Sequence, residues 1–208
     1  AFSVWQRRQF GGARLEGLLK YWREKLSGIG ILDLPTDRPR PPVPSYQGAR
    51  HDFTVPKDLA DSVKMIGQDC GATFQMTLLA VFQILLSRYS GQSDVAVGTP
   101  VSGRKQTELE PLVGCFVNTL VLRTDLSNDP TFLQLLERVR ELSLAAYEHQ
   151  DLPFERLVEE LQPERDSSRS AIIQVIFQLM DFDESDLALT GAKVTRSPSM
   201  SERVIFDL

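Results

Sequence analysis

The side chains best suited to nucleophilic or acid–base chemistry in this sequence are two cysteines and two histidines. Neither His51 nor His149 has a second histidine or cysteine at the spacing of a metal site, so a zinc centre is not expected. Cys115 and His149 could act as a nucleophile and its base, but a single cysteine in an apolar strand is more often a small core residue. His51 stands beside Asp52, where a surface imidazole is the simpler interpretation.

The common nucleotide-binding and hydrolytic motifs are absent from the sequence. None of the strings GxGxxG, GxxxxGK, HExxH, GxSxG or CxxC occurs. Each of these patterns brings backbone amides, a metal ligand or a nucleophile into a fixed geometry. We therefore expect no metal and no cofactor bound directly by this chain.

A carboxamide stands among large apolar residues in residues 113–119. If this stretch is a strand, Asn118 shares a face with Phe116 and Leu120, because alternate residues point the same way. A buried amide without partners costs about 1–3 kcal/mol, so Asn118 needs hydrogen bonds. They could come from neighbouring backbone, or Asn118 could line a ligand channel; position alone favours the backbone.

Two further polar segments lie between apolar stretches. In residues 149–155, which join two predicted helices, Asp151 is suited to cap the second helix, and His149 and Gln150 to close the first. In residues 164–170, charges of alternating sign are typical of a solvated loop with internal ion pairs. Neither segment alone proves a site.

Helices and strands must position these segments. Apolar periodicity predicts helices over residues 15–26, 59–66, 73–89, 132–146 and 151–161. Strand-like patterns cover residues 47–55, 94–101, 116–124 and 172–180, with an outer strand in 187–195. Five prolines in residues 34–44 indicate an extended strap. The order of elements favours one α/β layer domain.

Composition excludes two classes of function. Of 208 residues, 23 are Lys or Arg and 28 are Asp or Glu, which gives a formal net charge of −5, and the basic residues are scattered. A surface that binds nucleic acid normally carries a basic excess or stripe. No apolar run approaches the roughly 20 residues of a membrane span. Two cysteines without a disulfide framework favour the cytoplasm, so we expect a cytoplasmic protein with no nucleic-acid or membrane partner.

The ends of the chain suggest a longer polypeptide. The sequence opens at Ala1 without an initiator Met and stops at Leu208 inside a strand-like apolar pattern. A strand without its neighbours leaves ladder groups uncovered. We therefore expect these residues to be a piece of a larger protein.

Taken in order, four strings resemble the later core motifs of the condensation domains of non-ribosomal peptide synthetases. FSVWQR, residues 2–7, is similar to the tail of YxDFAVWQR, and VGCFVNTLVLR, residues 113–123, to GxFVNTxxxR. HQDLPFE, residues 149–155, fits HQDxPFE, and RDSSR, residues 165–169, begins RDxSRNP, with Ser170 and Ala171 in place of Asn and Pro. YWREKL and LPTDRPRP also resemble the family, so the likeness spans essentially the full chain.

The resemblance implies a fold and a place in it. The fold is α/β, a two-layer sandwich: a chloramphenicol-acetyltransferase-like lobe whose mixed sheet is covered by helices. The family pairs two such lobes around a tunnel that is entered by the phosphopantetheine arms of carrier domains. The family's catalytic motif HHxxxDG does not occur in residues 1–208. We expect it on an N-terminal lobe before Ala1, which makes residues 1–208 the C-terminal lobe alone.

The reaction implied is attack of an acceptor amine on a donor thioester, which forms a peptide bond. No catalytic residue is expected in this chain, and the chain alone should be inactive. Its partners would be the N-terminal lobe, the donor and acceptor peptidyl carrier domains and an adjacent adenylation domain. The residues expected to line the tunnel are Phe116, Val117, Asn118 and Thr119. Those expected at the joint between lobes, or in structural roles, are Trp5, Arg7, Gly114, His149, Gln150, Asp151, Arg165, Asp166 and Arg169.

Two alternatives stay open. One is a related enzyme of the same fold, an epimerisation domain or a stand-alone acyltransferase, although the FVNT string at residues 116–119 disfavours epimerisation. The other is a non-catalytic module that binds carrier proteins, which needs only surface contacts.

Overall fold

The computed structural model describes residues 6, 10–161, 168–170, 172–180 and 203–208. The predictions for Trp5, Arg7, Arg165, Asp166 and residues 181–195 lie outside these residues. The described elements, in chain order, are α1 (Ala13–Leu26), α2 (Lys57–Asp69), α3 (Phe74–Ser90), β1 (Asp94–Val101), a short 3-10 helix (Thr107–Leu109), β2 (Asn118–Asp125), α4 (Phe132–Glu148) and α5 (Phe154–Leu161). The five predicted helices are confirmed, and so is the strand over residues 94–101.

The regular sheet of the described residues has two strands, which are antiparallel, and one isolated parallel bridge extends it towards the mixed sheet that the resemblance implied. β1 and β2 pair antiparallel along their whole length, so that Val101 lies opposite Asn118. On the other edge of β1, residues 172–180 join in parallel through Gly98, whose amide donates to Val175 O at 2.9 Å. A Cβ on Gly98 would lie 2.3 Å from Ile173 Cδ1, so this position needs a glycine for the segment to approach. Residues 172–180 form one bridge rather than the regular strand predicted there.

The core lies between the sheet and helices α3 and α4. α3 contacts β1, α4 contacts β2, and the two helices pack on each other. Both helices bury apolar side chains against the sheet, including Leu79 and Leu86 of α3 and Leu136 and Val139 of α4. α4 begins with a capping box, in which Thr131 and Gln134 satisfy each other's backbone amides. The apolar pattern of residues 73–89 is broader than the buried face of α3, since Val81, Leu85 and Tyr89 are 45%, 48% and 66% exposed.

α1 packs at the edge of this core and is held at its C-terminal end by Arg123. The guanidinium of Arg123 donates to Asp94 Oδ2 at 2.8 Å and to Ser27 O at 2.7 Å, just beyond α1. The hydrogen bond with Asp94 raises the pKa of Arg123. This side chain therefore ties the end of α1 to both strands.

The strand predicted over residues 47–55 is wrong. Gln47 forms an isolated bridge with Arg203, and residues 48–56 have no regular structure. Phe53 and Val55 are 78% and 49% exposed, so among the described residues neither has the apolar cover that stabilises a strand. The second predicted strand starts later than expected, at Asn118, which leaves Phe116 and Val117 in the preceding loop.

Within the described residues, no single helix has both the length and the apolar character to cross a membrane. The pair α2 and α3 meets these criteria only jointly, and the two helices are bent by 105° at their junction.

Candidate functional site

Asn118 opens β2 and bonds to the junction between α4 and α5. Its Nδ2 donates to Gln150 O and to Leu152 O, both at 2.8 Å, and its Oδ1 accepts from the Phe154 amide at 3.0 Å. Both donor hydrogens and the acceptor of the carboxamide are therefore in use. Because Phe154 is the first residue of α5, Asn118 also satisfies one of the amides that a helix leaves unpaired at its start.

A cavity of about 520 Å³ opens beside this junction. Its walls come from the N-terminal part of the chain, the loop between β1 and β2, the start of β2 and the α4–α5 junction. The lining residues include Arg14, Lys105, Phe116, Val117, Asn118, Gln150 and Asp151. The fold thus brings together residues 113–119 and 149–155, which the sequence marked separately. Thr119 does not line the cavity, since its methyl group faces the opposite side of the sheet, near Gly98.

The loop of residues 102–117 forms one wall of the cavity and is organised by Arg104. The guanidinium of Arg104 donates to Leu109 O and, at 3.2 Å, to Gly114 O, and it lies 4.2 Å from the centre of the Phe116 ring. That distance is typical of a cation–π contact. Gly103 has φ +65°, and a Cβ there would lie 1.9 Å from Phe116 O. Gly103 and Arg104 together set the path of the loop.

His149 closes α4 and packs on α1. Its Nδ1 lies 2.8 Å from Ala145 O, and because a carbonyl only accepts, this nitrogen carries the proton. The ring stacks on Tyr21 with centroids 3.7 Å apart, and Trp22 donates to His149 O at 3.1 Å. Burial raises the pKa of Tyr21, and the negative charge of Glu148 raises it further. His149 therefore joins α1 to the α4–α5 junction.

Gln150 and Asp151 continue the junction with different partners. Gln150 Nε2 donates to Tyr147 O at 2.7 Å and closes the last turn of α4, as predicted. The Asp151 carboxylate accepts from Arg14 at 2.9 Å and pairs with Lys105 at 2.7 Å. The prediction that Asp151 caps α5 is wrong for the first amide of the helix, because the Phe154 amide donates to Asn118 Oδ1 instead.

The alternative of a Cys115–His149 nucleophile pair finds no support in this geometry. Cys115 is exposed on the cavity, whereas His149 stacks on Tyr21 and does not line the cavity. In the part of the chain that the structure describes, no cluster of three or more His, Cys, Asp or Glu side chains could hold a metal ion.

Residues 168–170, the described part of the third polar segment, lie elsewhere and contact the proline-rich strap. Arg169 pairs with Asp33 at 3.2 Å, and Ser168 O accepts from Arg40 at 3.4 Å. Arg40 also forms a two-pronged ion pair with Asp207, with distances of 2.9 and 2.6 Å. These residues border a separate cavity of about 260 Å³. The structure does not bring Arg169 to the junction around Asn118.

The sequence pattern of the family described as Condensation domain matches residues 1–208. This chain belongs to the condensation-domain family. It is 46% identical over 197 residues to a chondramide synthase of Chondromyces crocatus, which covers 95% of this chain and 5% of that protein. It is 44% identical over 208 residues to malpinin synthetase of Mortierella alpina, covering 100% of this chain and 3% of that protein. The chain therefore spans only a few per cent of these curated relatives.

A solved structure shows the same fold. The crystal structure of a four-domain nonribosomal peptide synthetase bound to AMP and glycine superposes with a TM-score of 0.81 at 27% identity, covering 86% of this chain and 14% of that one. The chloramphenicol-acetyltransferase-like α/β fold predicted for this condensation-domain chain is thereby confirmed.

Sequence reasoning missed three residues that shape the cavity of this condensation-domain chain. Arg14, Arg104 and Lys105 lie in segments without a motif, and the shared partner of Arg14 and Lys105 is distant in sequence: Asp151 is 137 residues from Arg14. The one local signal was two consecutive basic residues shortly after the end of β1.

Proposed function

We propose that this chain forms one wall of the site at which a synthetase joins a donor thioester to an acceptor amine. The observation that carries the proposal is the convergence of residues 113–119 and 149–155, which resemble two separate condensation motifs, at one open cavity of about 520 Å³. Phe116, Val117 and Asn118 would face the substrate there, and Thr119 would support the strand.

The acid–base group of the reaction belongs, in this proposal, to a separate N-terminal lobe that carries HHxxxDG, a string that residues 1–208 do not contain. The carrier domains deliver both substrates on phosphopantetheine arms, and an adenylation domain loads them. A positioned imidazole on that lobe would take the proton of the attacking amine. The residues of the present lobe would bound the cavity and orient the thioester, so the lobe alone is inactive.

The test compares the chain alone with a complete two-lobed domain, using aminoacyl carrier proteins as donor and acceptor. We expect dipeptide on the acceptor carrier only with the complete domain. Turnover by residues 1–208 alone would contradict the proposal. The alternative of a non-catalytic carrier-binding module predicts carrier binding without turnover in either form.

A variant that fills the cavity tests the role of the wall. Val117 lines the cavity and is 62% exposed, so Val117→Trp can place an indole at its mouth without disturbing the core. We expect the complete domain to lose at least ten-fold in kcat/KM, which corresponds to about 1.4 kcal/mol. The matched control is Leu144→Trp, which adds the same ring at an exposed position of α4 away from the cavity. Equal activity of the two variants would exclude the cavity as the substrate site.

A further inference from the structure

One carboxylate at the cavity binds two cations from two different segments. Asp151 Oδ2 lies 2.9 Å from Arg14 Nη2 of α1, and Asp151 Oδ1 lies 2.7 Å from Lys105 Nζ of the 102–117 loop. The side chain of Asp151 is 29% exposed, and those of Arg14 and Lys105 are 51% and 38% exposed. All three residues line the cavity of about 520 Å³.

The side chains of the 102–117 loop are exposed or only partly buried. No residue from 102 to 117 is buried, so the hydrophobic effect contributes little to its position. The contacts of Arg104 with Leu109, Gly114 and Phe116 lie within the loop and keep its own shape. We expect a loop with internal bonds and no buried residue to move as one body about its ends.

We propose that Asp151 is a positioning residue that latches the 102–117 loop through Lys105 and so sets the width of the cavity. Lys105 is the moving partner, and Arg14 of α1 shares the same carboxylate. The latch itself is a property of the loop; only its effect on turnover rests on the proposed function.

Arg14 and Lys105 should affect the loop differently, because only Lys105 belongs to it. Replacing Lys105 leaves the loop without its ion pair, whereas replacing Arg14 leaves the Asp151–Lys105 pair intact and removes a competitor for the same carboxylate. Since the pair is partly exposed, salt screens it. Loss of a half-exposed ion pair shifts a local equilibrium by about two- to five-fold.

The experiment is limited proteolysis of the 208-residue chain with a glutamate-specific protease. Cleavage after Glu108 reports loop opening, because this residue is exposed on the 102–117 loop and outside the ion pair. We expect Asp151→Asn and Lys105→Gln to raise the cleavage rate about two- to five-fold, and Arg14→Gln not to raise it. Raising the salt from about 50 to 500 mM, with rates normalised to a peptide substrate, should bring the parent chain towards Asp151→Asn.

The matched control is Glu155→Gln, which neutralises another carboxylate that borders the same cavity and should leave cleavage after Glu108 unchanged. Thermal unfolding of each variant separates loop opening from global unfolding. Equal rates for Asp151→Asn and the parent, or an equal rise for Arg14→Gln and Lys105→Gln, would overturn the latch.

Kinetics of the complete domain then test the positioning role. We expect Asp151→Asn to raise KM for the carrier-bound donor at least two-fold with little change in kcat. An unchanged KM together with faster cleavage would show that the latch does not position substrate. An inactive parent domain would instead contradict the proposed function, while the cleavage rates still decide the latch.

Discussion

Replacing Asn118 by alanine should destabilise the chain through the α4–α5 junction. The substitution removes three hydrogen bonds, to Gln150 O, Leu152 O and the Phe154 amide. Each is worth about 1 kcal/mol net, because the freed groups are only partly buried and water can replace some of the loss. We therefore expect the free energy of unfolding to fall by about 3 kcal/mol.

Thermal and urea unfolding followed by circular dichroism measure this effect. For a chain of this size, about 3 kcal/mol corresponds to a fall in Tm of roughly 6–12 °C. The matched control is Val117→Ala at the neighbouring exposed position, which should change Tm little.

A second variant tests whether Asn118 is the hydrogen-bond donor to Gln150 O and Leu152 O. Asn118→Asp keeps the shape and the acceptor but places a carboxylate oxygen against two carbonyls. We expect it to be at least as destabilising as Asn118→Ala at neutral pH and to recover as the pH falls and the new carboxyl protonates, since a protonated carboxyl can donate one hydrogen bond.

If Asn118→Ala unfolds at the parent's Tm and yet abolishes turnover of the complete domain, Asn118 acts on the substrate and not through the junction. If Asn118→Asp shows no recovery at low pH, the two carbonyls do not depend on its donors.

Two further predictions concern local backbone and charge. Gly103→Ala should lower the free energy of unfolding by about 1–2 kcal/mol from the φ of +65° alone, and the new Cβ would also displace Phe116 O. Urea unfolding measures the change. The control is Gly30→Ala, which should be near neutral because a Cβ there meets no atom within 4 Å. The carboxylate of Asp125 accepts a hydrogen bond from the Ser127 amide, which lowers the pKa of Asp125. The stability that this carboxylate contributes is therefore present above the ordinary pKa of an aspartate and is lost as the pH falls through the pKa of the folded state. The Tm of Asp125→Asn should therefore fall less than the Tm of the parent between about pH 5 and 3. Overlapping plots of Tm against pH would contradict this.

The helices could be predicted because their signals are local. Apolar residues at helical spacing and start signals such as Thr131 lie within a few residues of the element that they specify. The strand at residues 94–101 was predicted with its observed bounds for the same reason. The strand prediction over residues 47–55 failed because a strand also needs neighbouring strands and apolar cover, and Phe53 is 78% exposed.

The site was harder to predict because its bonds are not local. The sequence indicated that Asn118 needs partners, but the partners are backbone groups 32 to 36 residues away, in a junction whose position depends on the packing of α4. Asp151 was correctly placed at a helix start, where local rules favour capping. The fold offers it two cations instead, and neither Arg14 nor Lys105 carries a sequence signal for that pairing.

Two of the strings that resemble family motifs, residues 113–123 and residues 149–155, form one physical unit. Asn118 of the first string bonds the backbone of the second, and Asp151 of the second binds Lys105 of the loop that leads into the first. A change in either string therefore alters the same cavity wall, which neither string could form alone. It follows that substitutions at Asn118 and Asp151 should not be additive. A double-mutant cycle on loop cleavage should show coupling, because a junction freed from Asn118 no longer holds the carboxylate in place for Lys105.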